Sequence, residues 1–106
     1  MKFAIDYDDV ISADPVFFSA ITNALQAQGH EIYILTDFDE HFRDQREEEL
    51  QQDNIFYDQL IITSKKGEFC RKSKIDYAID DLAEEHYPDS PHTKISIVDI
   101  KKKITI

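Results

Sequence analysis

Glycine, proline and cysteine are all scarce in this chain of 106 residues. It contains 2 glycines and 3 prolines, so the composition does not indicate low-complexity disorder. Its single cysteine, Cys70, excludes an internal disulfide, and a cytoplasmic location is therefore the expectation. No segment approaches the length of a transmembrane helix, and MKFAID does not start like a signal peptide. We expect no association with membranes.

Positive charge is also in short supply. The chain has 12 Lys and Arg against 22 Asp and Glu, which gives a formal net charge of −10. Such a surface repels nucleic acid at long range, so nucleic acid is not an expected partner. It would also repel a phosphorylated substrate unless a divalent cation neutralised the binding site. Without HxH or HExxH spacing, the four histidines are interpreted as surface or helix-end residues.

Strand-like apolar runs alternate with helical patterns along the chain. Strands are predicted at residues 2–5, 31–35, 60–63, 77–79 and 95–98. Helices are predicted at residues 15–28, 39–53, 65–74 and 82–86. Residues 104–106 are either a terminal strand or a free end. This alternation predicts an α/β fold with a doubly wound, mainly parallel five-stranded sheet. Right-handed crossovers place helices on both faces, which makes a three-layer sandwich. The length predicts that residues 1–106 form one domain.

The spacing of residues within the predicted helices supports their assignment. The residues at helical spacing are Phe17, Ile21, Ala24, Leu25 and Gln28 in the first helix and Phe38, Phe42 and Leu50 in the second, and Phe69 and Cys70 face inward in the third. The second helix is the most polar, so we expect it at the surface.

Polar residues follow three of the strands, and a lysine opens the third helix. The residues concerned are Asp6 and Asp8 after the first strand, Thr36 after the second, Asp80 and Asp81 after the fourth, and Lys66 in the helix. The carboxyl ends of parallel strands lie together at one edge of an open sheet, where ligands bind. Carboxylates, a hydroxyl and an ammonium in one small volume suit a magnesium ion and a phosphoryl group.

The ordered set of motifs resembles the haloacid dehalogenase-like superfamily of phosphotransferases. IDYDDVI matches its first motif, a strand followed by Asp-x-Asp-x-Thr/Val, and YILT matches its second, a Thr or Ser that ends the next strand. SKKGEFCRKSKI supplies the lysine of the third motif, and YAIDD supplies the acidic pair of the fourth. The motifs occur in the family's order, and the resemblance extends to about Glu85.

The resemblance implies a phosphatase that works through an aspartyl-phosphate on an unidentified phosphate ester. Asp6 would be the nucleophile, and Asp8 would act as general acid and then as general base. Thr36 would hydrogen-bond a phosphoryl oxygen, and Lys66 would neutralise Asp6 and the transferred group. The neighbouring Lys65 remains an alternative to Lys66.

The same resemblance implies Mg²⁺ as the cofactor. Asp6 would bind the metal through its carboxylate, and the family uses the backbone carbonyl at the position of Asp8. Asp80 would bind the metal directly, and Asp81 would bind it directly or support the ligands. Hard oxygen donors with open water positions fit Mg²⁺ rather than zinc.

Several positions depart from the family pattern. Val10 replaces the commoner Thr, and Asp9 replaces a frequent Gly. The gaps at residues 12–30 and 37–58 are too short for an inserted cap domain, so the site should be open to water. An open site discriminates poorly, and slow turnover of small phosphate esters is expected.

Other functions are compatible with the same residues. Acidic residues at strand ends are common in turns and helix caps, and a chain without a cap domain could keep the fold as an inactive binding or interaction module. A phosphoacceptor signalling domain is disfavoured, because its acceptor Asp ends the third strand and that strand ends here in IITS. An exposed edge strand near residues 95–106 could also pair with a second copy in a homo-oligomer.

Overall fold

Five parallel strands form the centre of the molecule in a computed structural model that describes residues 1–88 and 93–96. The strands are β1 (Lys2–Asp6), β2 (Glu31–Thr36), β3 (Gln59–Ile62), β4 (Tyr77–Asp80) and β5 (Thr93–Ser96). Their order across the sheet is β3-β2-β1-β4-β5, and every neighbouring pair is parallel. The chain therefore winds outward from β1 in both directions, and the predicted five-stranded parallel sheet is confirmed.

Within the described residues, four α-helices follow strands of this sheet. They are α1 (Pro15–Ala27), α2 (Arg43–Gln52), α3 (Lys66–Lys72) and α4 (Ala83–His86). An irregular π-type turn, Tyr7–Ile11, follows β1, and a 3-10 turn, Glu40–Phe42, precedes α2. The segment predicted as one helix over residues 39–53 is therefore a 3-10 turn followed by a separate α-helix. β5 begins at Thr93, earlier than predicted, and the rest of the strand predicted at 95–98 lies, like residues 104–106, outside the described residues.

Alternate residues of the inner strands belong to two separate cores. One core contains Ile5, Ile32, Ile34 and Ile79 together with Phe18 of α1 and Leu50 of α2. The other contains Ala4, Leu35 and Ala78 together with Cys70 of α3 and Tyr87, which follows α4. Successive side chains of a strand point to opposite faces. The sheet is therefore covered on both sides, and the expected inward position of Cys70 is confirmed.

Helix α1 forms where helical spacing predicted it and packs on the core through Phe18, Thr22 and Leu25. Phe17, at the start of the helix, is 50 % exposed. The buried hydroxyl of Thr22 donates to the carbonyl of Phe18 at 2.7 Å and accepts from the N–H of Phe56 at 3.1 Å. These hydrogen bonds allow a polar residue to lie on the inner face of the helix.

In helix α2 the predicted apolar stripe is only partly right. Leu50 is fully buried, but Phe42 is 43 % exposed. Arg46, four residues before Leu50, is buried in its place. Phe42 lies in the 3-10 turn before α2, and within the helix Arg46 and Leu50, which are four residues apart, form the inner face.

Strand register brings the ends of β1, β2 and β4 into line. Ile5 pairs with Ile79 across β1 and β4, so Asp6 and Asp80 come next on these neighbouring strands. Across β1 and β2, Asp6 itself pairs with Leu35, and Thr36 follows. These ends form one edge of the sheet, from which α1, α2 and α3 start.

Among the described helices, none combines the length and the apolar sequence needed to cross a bilayer.

Candidate active site at the carboxyl edge of the sheet

A buried ion pair lies at the centre of this edge. The Nζ of Lys66, the first residue of α3, lies 2.7 Å from Oδ1 of Asp6, the last residue of β1. The exposed fractions are 5 % for Lys66 and 2 % for Asp6. Lys65, the alternative considered from the sequence, is exposed. The lysine that contacts Asp6 is therefore Lys66.

Both oxygens of the Asp80 carboxylate have partners that hold the side chain in place. Oδ1 accepts a hydrogen bond from the backbone N–H of Leu82 at 2.8 Å, and Oδ2 lies 2.7 Å from Nδ1 of His86. The same Oδ2 lies 3.7 Å from the Nζ of Lys66. Asp80 is fully buried, so these partners hold a charged group in one orientation away from bulk water.

Three carboxylates converge beside the lysine. Asp6, Asp80 and Asp81 each offer a carboxylate oxygen, and these oxygens lie within 4.8 Å of one another. Magnesium binds oxygen at about 2.0–2.1 Å, which puts opposite ligands about 4 Å apart. The donor chemistry and the spacing therefore fit a small hard cation. Among residues 1–88 and 93–96, three carboxylates against one ammonium leave an excess of negative charge at this point.

Burial dominates the acid–base behaviour of Asp6. Loss of solvation raises the pKa of its carboxyl group from 3.8 to about 7 in the metal-free chain. The ammonium of Lys66 opposes this rise, whereas the neighbouring Asp80 and Asp81 add to it. The metal-free site therefore holds Asp6 near its point of half-protonation at neutral pH.

Asp8 lies apart from the three converging carboxylates. Its Oδ2 accepts a hydrogen bond of 3.2 Å from the hydroxyl of Thr36, and its Oδ1 lies 3.9 Å from a terminal nitrogen of Arg46. Thr36 is fully buried, whereas the side chain of Asp8 is 55 % exposed. A buried hydroxyl thus anchors a carboxylate that faces solvent, an arrangement that suits exchange of a proton with a bound substrate.

The backbone beside Asp8 has an unusual conformation. Asp9 has a φ of 61°, in the left-handed region that favours glycine, although Asp and Asn also enter it. The turn closes through hydrogen bonds from the N–H of Ser12 to the carbonyl of Tyr7 and from the N–H of Asp9 to the hydroxyl of Ser12. Asp9 therefore occupies a backbone position that glycine would adopt at a lower conformational cost.

Arg46 is a functional candidate that the sequence reasoning missed. Its guanidinium carbon lies 3.7 Å from the ring centre of Tyr7 and 4.4 Å from that of Phe38. One terminal nitrogen contacts Glu49 at 3.0 Å, and the other faces Asp8. The detectable signal was its position four residues before Leu50, which put it on the buried face of α2.

His86 is a second residue whose role the sequence did not reveal. It ends α4, as its interpretation as a helix-end residue anticipated, but its ring also contacts the buried carboxylate of Asp80. Its position six residues after Asp80 could have indicated this contact, because the segment after Asp80 contains only the short helix α4, which ends at His86. An imidazole beside a buried carboxylate fixes that carboxylate in place.

The assembled groups provide the elements of phosphoryl chemistry. A carboxylate on β1 is paired with an ammonium, two further carboxylates lie beside it, and a separate exposed carboxylate follows one turn later. Comparison of the chain with protein-family models, curated proteins and solved structures finds no significant match. Its function therefore has to be inferred from the residues of this edge.

Proposed function

We propose that the chain is a small, capless haloacid dehalogenase-like phosphatase that hydrolyses phosphate monoesters through an aspartyl-phosphate on Asp6. The observation that carries the proposal is the convergence of Asp6, Asp80 and Asp81 within 4.8 Å, with Lys66 bound to Asp6. These residues come from two neighbouring strands and one helix, in the order of the family's motifs. A cluster of turn or cap residues would not need a buried ammonium at its centre.

In the first step, a carboxylate oxygen of Asp6 attacks phosphorus and the bond from phosphorus to the ester oxygen breaks. The leaving oxygen takes a proton from Asp8, so an alcohol departs and an acyl phosphate remains on Asp6. Lys66 offsets the negative charge of the transferred group. Thr36 keeps the Asp8 carboxyl in place through the hydrogen bond to Oδ2.

In the second step, water attacks the phosphorus of the acyl phosphate and Asp8 accepts the proton that the water loses. The bond from phosphorus to Asp6 breaks, which releases inorganic phosphate and restores the carboxylate. Asp8 is thereby protonated again for the next cycle. The guanidinium of Arg46 lies 3.9 Å from Oδ1 of Asp8, beside the group that carries the proton.

Asp6, Asp80 and Asp81 are the residues that would hold Mg²⁺. When bound, the ion would offset the negative charge of the phosphoryl oxygens. The excess of carboxylates over ammonium groups supports this assignment, because a dianionic phosphate would otherwise meet an uncompensated acidic site.

The connections around the site support an open active site. Within residues 1–88, β1 and β2 are joined by the turn Tyr7–Ile11 and α1, and β2 and β3 by the turn Glu40–Phe42 and α2. Neither connection contains a further sheet that could close over Asp6. We therefore expect measurable but slow hydrolysis of small aryl phosphates, since water has free access to the site.

The test is hydrolysis of p-nitrophenyl phosphate with Mg²⁺ by the wild type and by Asp6→Asn. We expect the variant to lose at least about 100-fold in kcat, because the amide cannot form the acyl phosphate. Asp37→Asn is the matched control, since Asp37 is exposed and follows β2 at the same edge. Activity that survives in Asp6→Asn would refute the assignment of the nucleophile.

Ligand binding separates a phosphatase from an inactive binding module. With Mg²⁺ present, beryllofluoride mimics a phosphoryl group on an aspartate and should raise the Tm of the wild type but not that of Asp6→Asn. If neither Mg²⁺ nor beryllofluoride changes the Tm, the chain is an inactive module.

A further inference from the structure

A pocket of about 220 Å³ lies beside the proposed active site. Residues 64–68 and Arg71 form one wall, and residues 86–88 form the other. Lys66 and His86 belong to these walls, and their side chains contact Asp6 and Asp80. Two residues of the pocket lining are therefore also contacts of the proposed active site.

The two walls of the pocket approach closely at Gly67. A Cβ atom on this residue would lie 3.2 Å from the carbonyl oxygen of His86, which is tighter than most contacts of this kind. The absence of a side chain therefore lets the start of α3 lie against the end of α4. This packing fixes the spacing between the basic residues of α3 and the residues that hold Asp80.

The charge of the pocket is opposite to that of the chain as a whole. Of the residues that the structure describes, Lys65, Lys66 and Arg71 line it together with one acidic residue, Glu68. Glu68 is already paired with Lys72 at 2.8 Å. Among the described residues, no carboxylate lies within 4.0 Å of Lys65 or Arg71. In a chain of net charge −10, these two cations leave a local excess of positive charge.

We propose that this pocket binds a second phosphate group of the substrate, so that the preferred substrates are small bisphosphorylated metabolites. The inference rests on the proposed function, because the first phosphate is the one that Asp6 attacks. Arg71 offers the planar fork of donors that matches phosphate oxygens, and Lys65 offers a mobile point charge. Binding energy from this remote group would compensate for the missing cap domain by holding the reacting phosphate in place.

The experiment compares two phosphonates, which bind like phosphates but are not hydrolysed. Propylphosphonate carries one anionic group, and propane-1,3-diphosphonate carries two on the same carbon chain. Calorimetry at pH 8, with Mg²⁺ in excess over the ligand, should show the diphosphonate binding about tenfold tighter. This preference exceeds the factor of about 2 that two identical ends would give by statistics alone.

Two exposed basic residues can be changed with little risk to the fold. The double variant Lys65→Gln/Arg71→Gln should bind propylphosphonate as the wild type does and should bind the diphosphonate no more than about twofold tighter. Lys74→Gln, the control, removes one exposed positive charge beyond the C-terminal end of α3 and should keep the full preference. Because Lys74 does not line the pocket, the control detects any general effect of net charge.

The possible failures are distinguishable from one another. The second-phosphate site is refuted if the affinities of the wild type for the two phosphonates differ by less than twofold, or if the preference for the diphosphonate survives in the double variant. In either case, hydrolysis of p-nitrophenyl phosphate through Asp6 would still support the phosphatase. A preference lost equally in Lys74→Gln also refutes the site. If the preference depends on Lys65 and Arg71 but Asp6→Asn keeps full activity, the pocket is supported and the proposed reaction fails.

Discussion

The ammonium of Lys66 lies 2.7 Å from a carboxylate oxygen of Asp6, and both side chains are almost completely buried. Sixty positions separate the two residues in the sequence. A buried charge is costly unless it is paired. This contact therefore connects the stability of the sheet edge with the chemistry proposed for it.

Removal of the lysine should destabilise the metal-free protein severely. Lys66→Met leaves the buried Asp6 carboxylate without its cation, and we expect a loss of about 3–5 kcal/mol in the free energy of unfolding at pH 8. The double variant Asp6→Asn/Lys66→Met removes both charges and should recover at least half of that loss. Urea denaturation measures both values. Equal destabilisation of the single and double variants would contradict the ion pair as the cause.

The metal-free protein should lose stability as the pH rises toward 8. The pKa of Asp6 is raised from 3.8 to about 7 in the folded chain, so the folded state binds this proton more tightly than the unfolded state. The resulting contribution is complete below pH 3.8 and is lost as the pH rises through about 7. Between these limits the slope is up to about 1.4 kcal/mol per pH unit for this one proton.

Asp6→Asn isolates that contribution from the other titrating groups. With EDTA present, the wild type should become less stable relative to Asp6→Asn between pH 5 and 8, as measured by urea denaturation at each pH. A difference that stays constant over this range would show that Asp6 does not titrate with a raised pKa.

Asp81 allows the metal site to be tested with little disturbance of the fold. It is only half-buried, whereas Asp80 is fully buried and holds the N–H of Leu82. Asp81→Asn should weaken Mg²⁺ binding about tenfold or more, because one of three carboxylates loses its charge. Its metal-free Tm should change little. Calorimetric titration with Mg²⁺ measures the affinity, and Asp37→Asn should bind as the wild type does.

Arg46 should contribute to both stability and turnover. Arg46→Met keeps an apolar stem between Tyr7 and Phe38 but removes the charge that faces Asp8 and Glu49. We expect a loss of about 1–3 kcal/mol in the free energy of unfolding, together with a lower kcat.

The neighbouring arginine of the same helix provides the comparison for Arg46. Arg43 is more exposed, its side chain being 33 % accessible, and it contacts Glu40 and the carbonyl of Leu60. Arg43→Met should cost no more than about 1 kcal/mol and leave kcat unchanged. Equal effects on kcat at the two positions would argue against a role of Arg46 beside Asp8.

Much of the fold was predictable because strand and helix signals are local. Apolar runs such as EIYIL identify a buried strand wherever it lies in the sheet, and each predicted strand within residues 1–88 appears within one residue at either end. The polar residue after a run was also informative. The strands extend to include Asp6, Thr36 and Asp80 as their last residues, which places these side chains at the carboxyl edge.

Side-chain partners were less predictable because they depend on packing between distant segments. Thr22 lies on the inner face of α1, although its hydroxyl makes it resemble a surface residue in the sequence. Arg46 was overlooked for a similar reason, because charged residues are seldom buried unless they find partners. The partners distant in sequence, Phe56 for Thr22 and Tyr7 and Asp8 for Arg46, cannot be recognised from the residues around either position.

The sequence by itself determined the order of strands and helices along the chain and the polar residues that end the strands. Both follow from the pattern of apolar residues over a few positions. Only the tertiary structure decided which side chains meet. Lys66 rather than Lys65 pairs with Asp6, and His86 contacts the carboxylate of Asp80. Asp81 joins Asp6 and Asp80, whereas Asp8 lies beside Thr36. These contacts depend on strand register and on how each helix packs against the sheet. Both are set by the whole core, because a shift of one residue in either would turn the same side chains to another face.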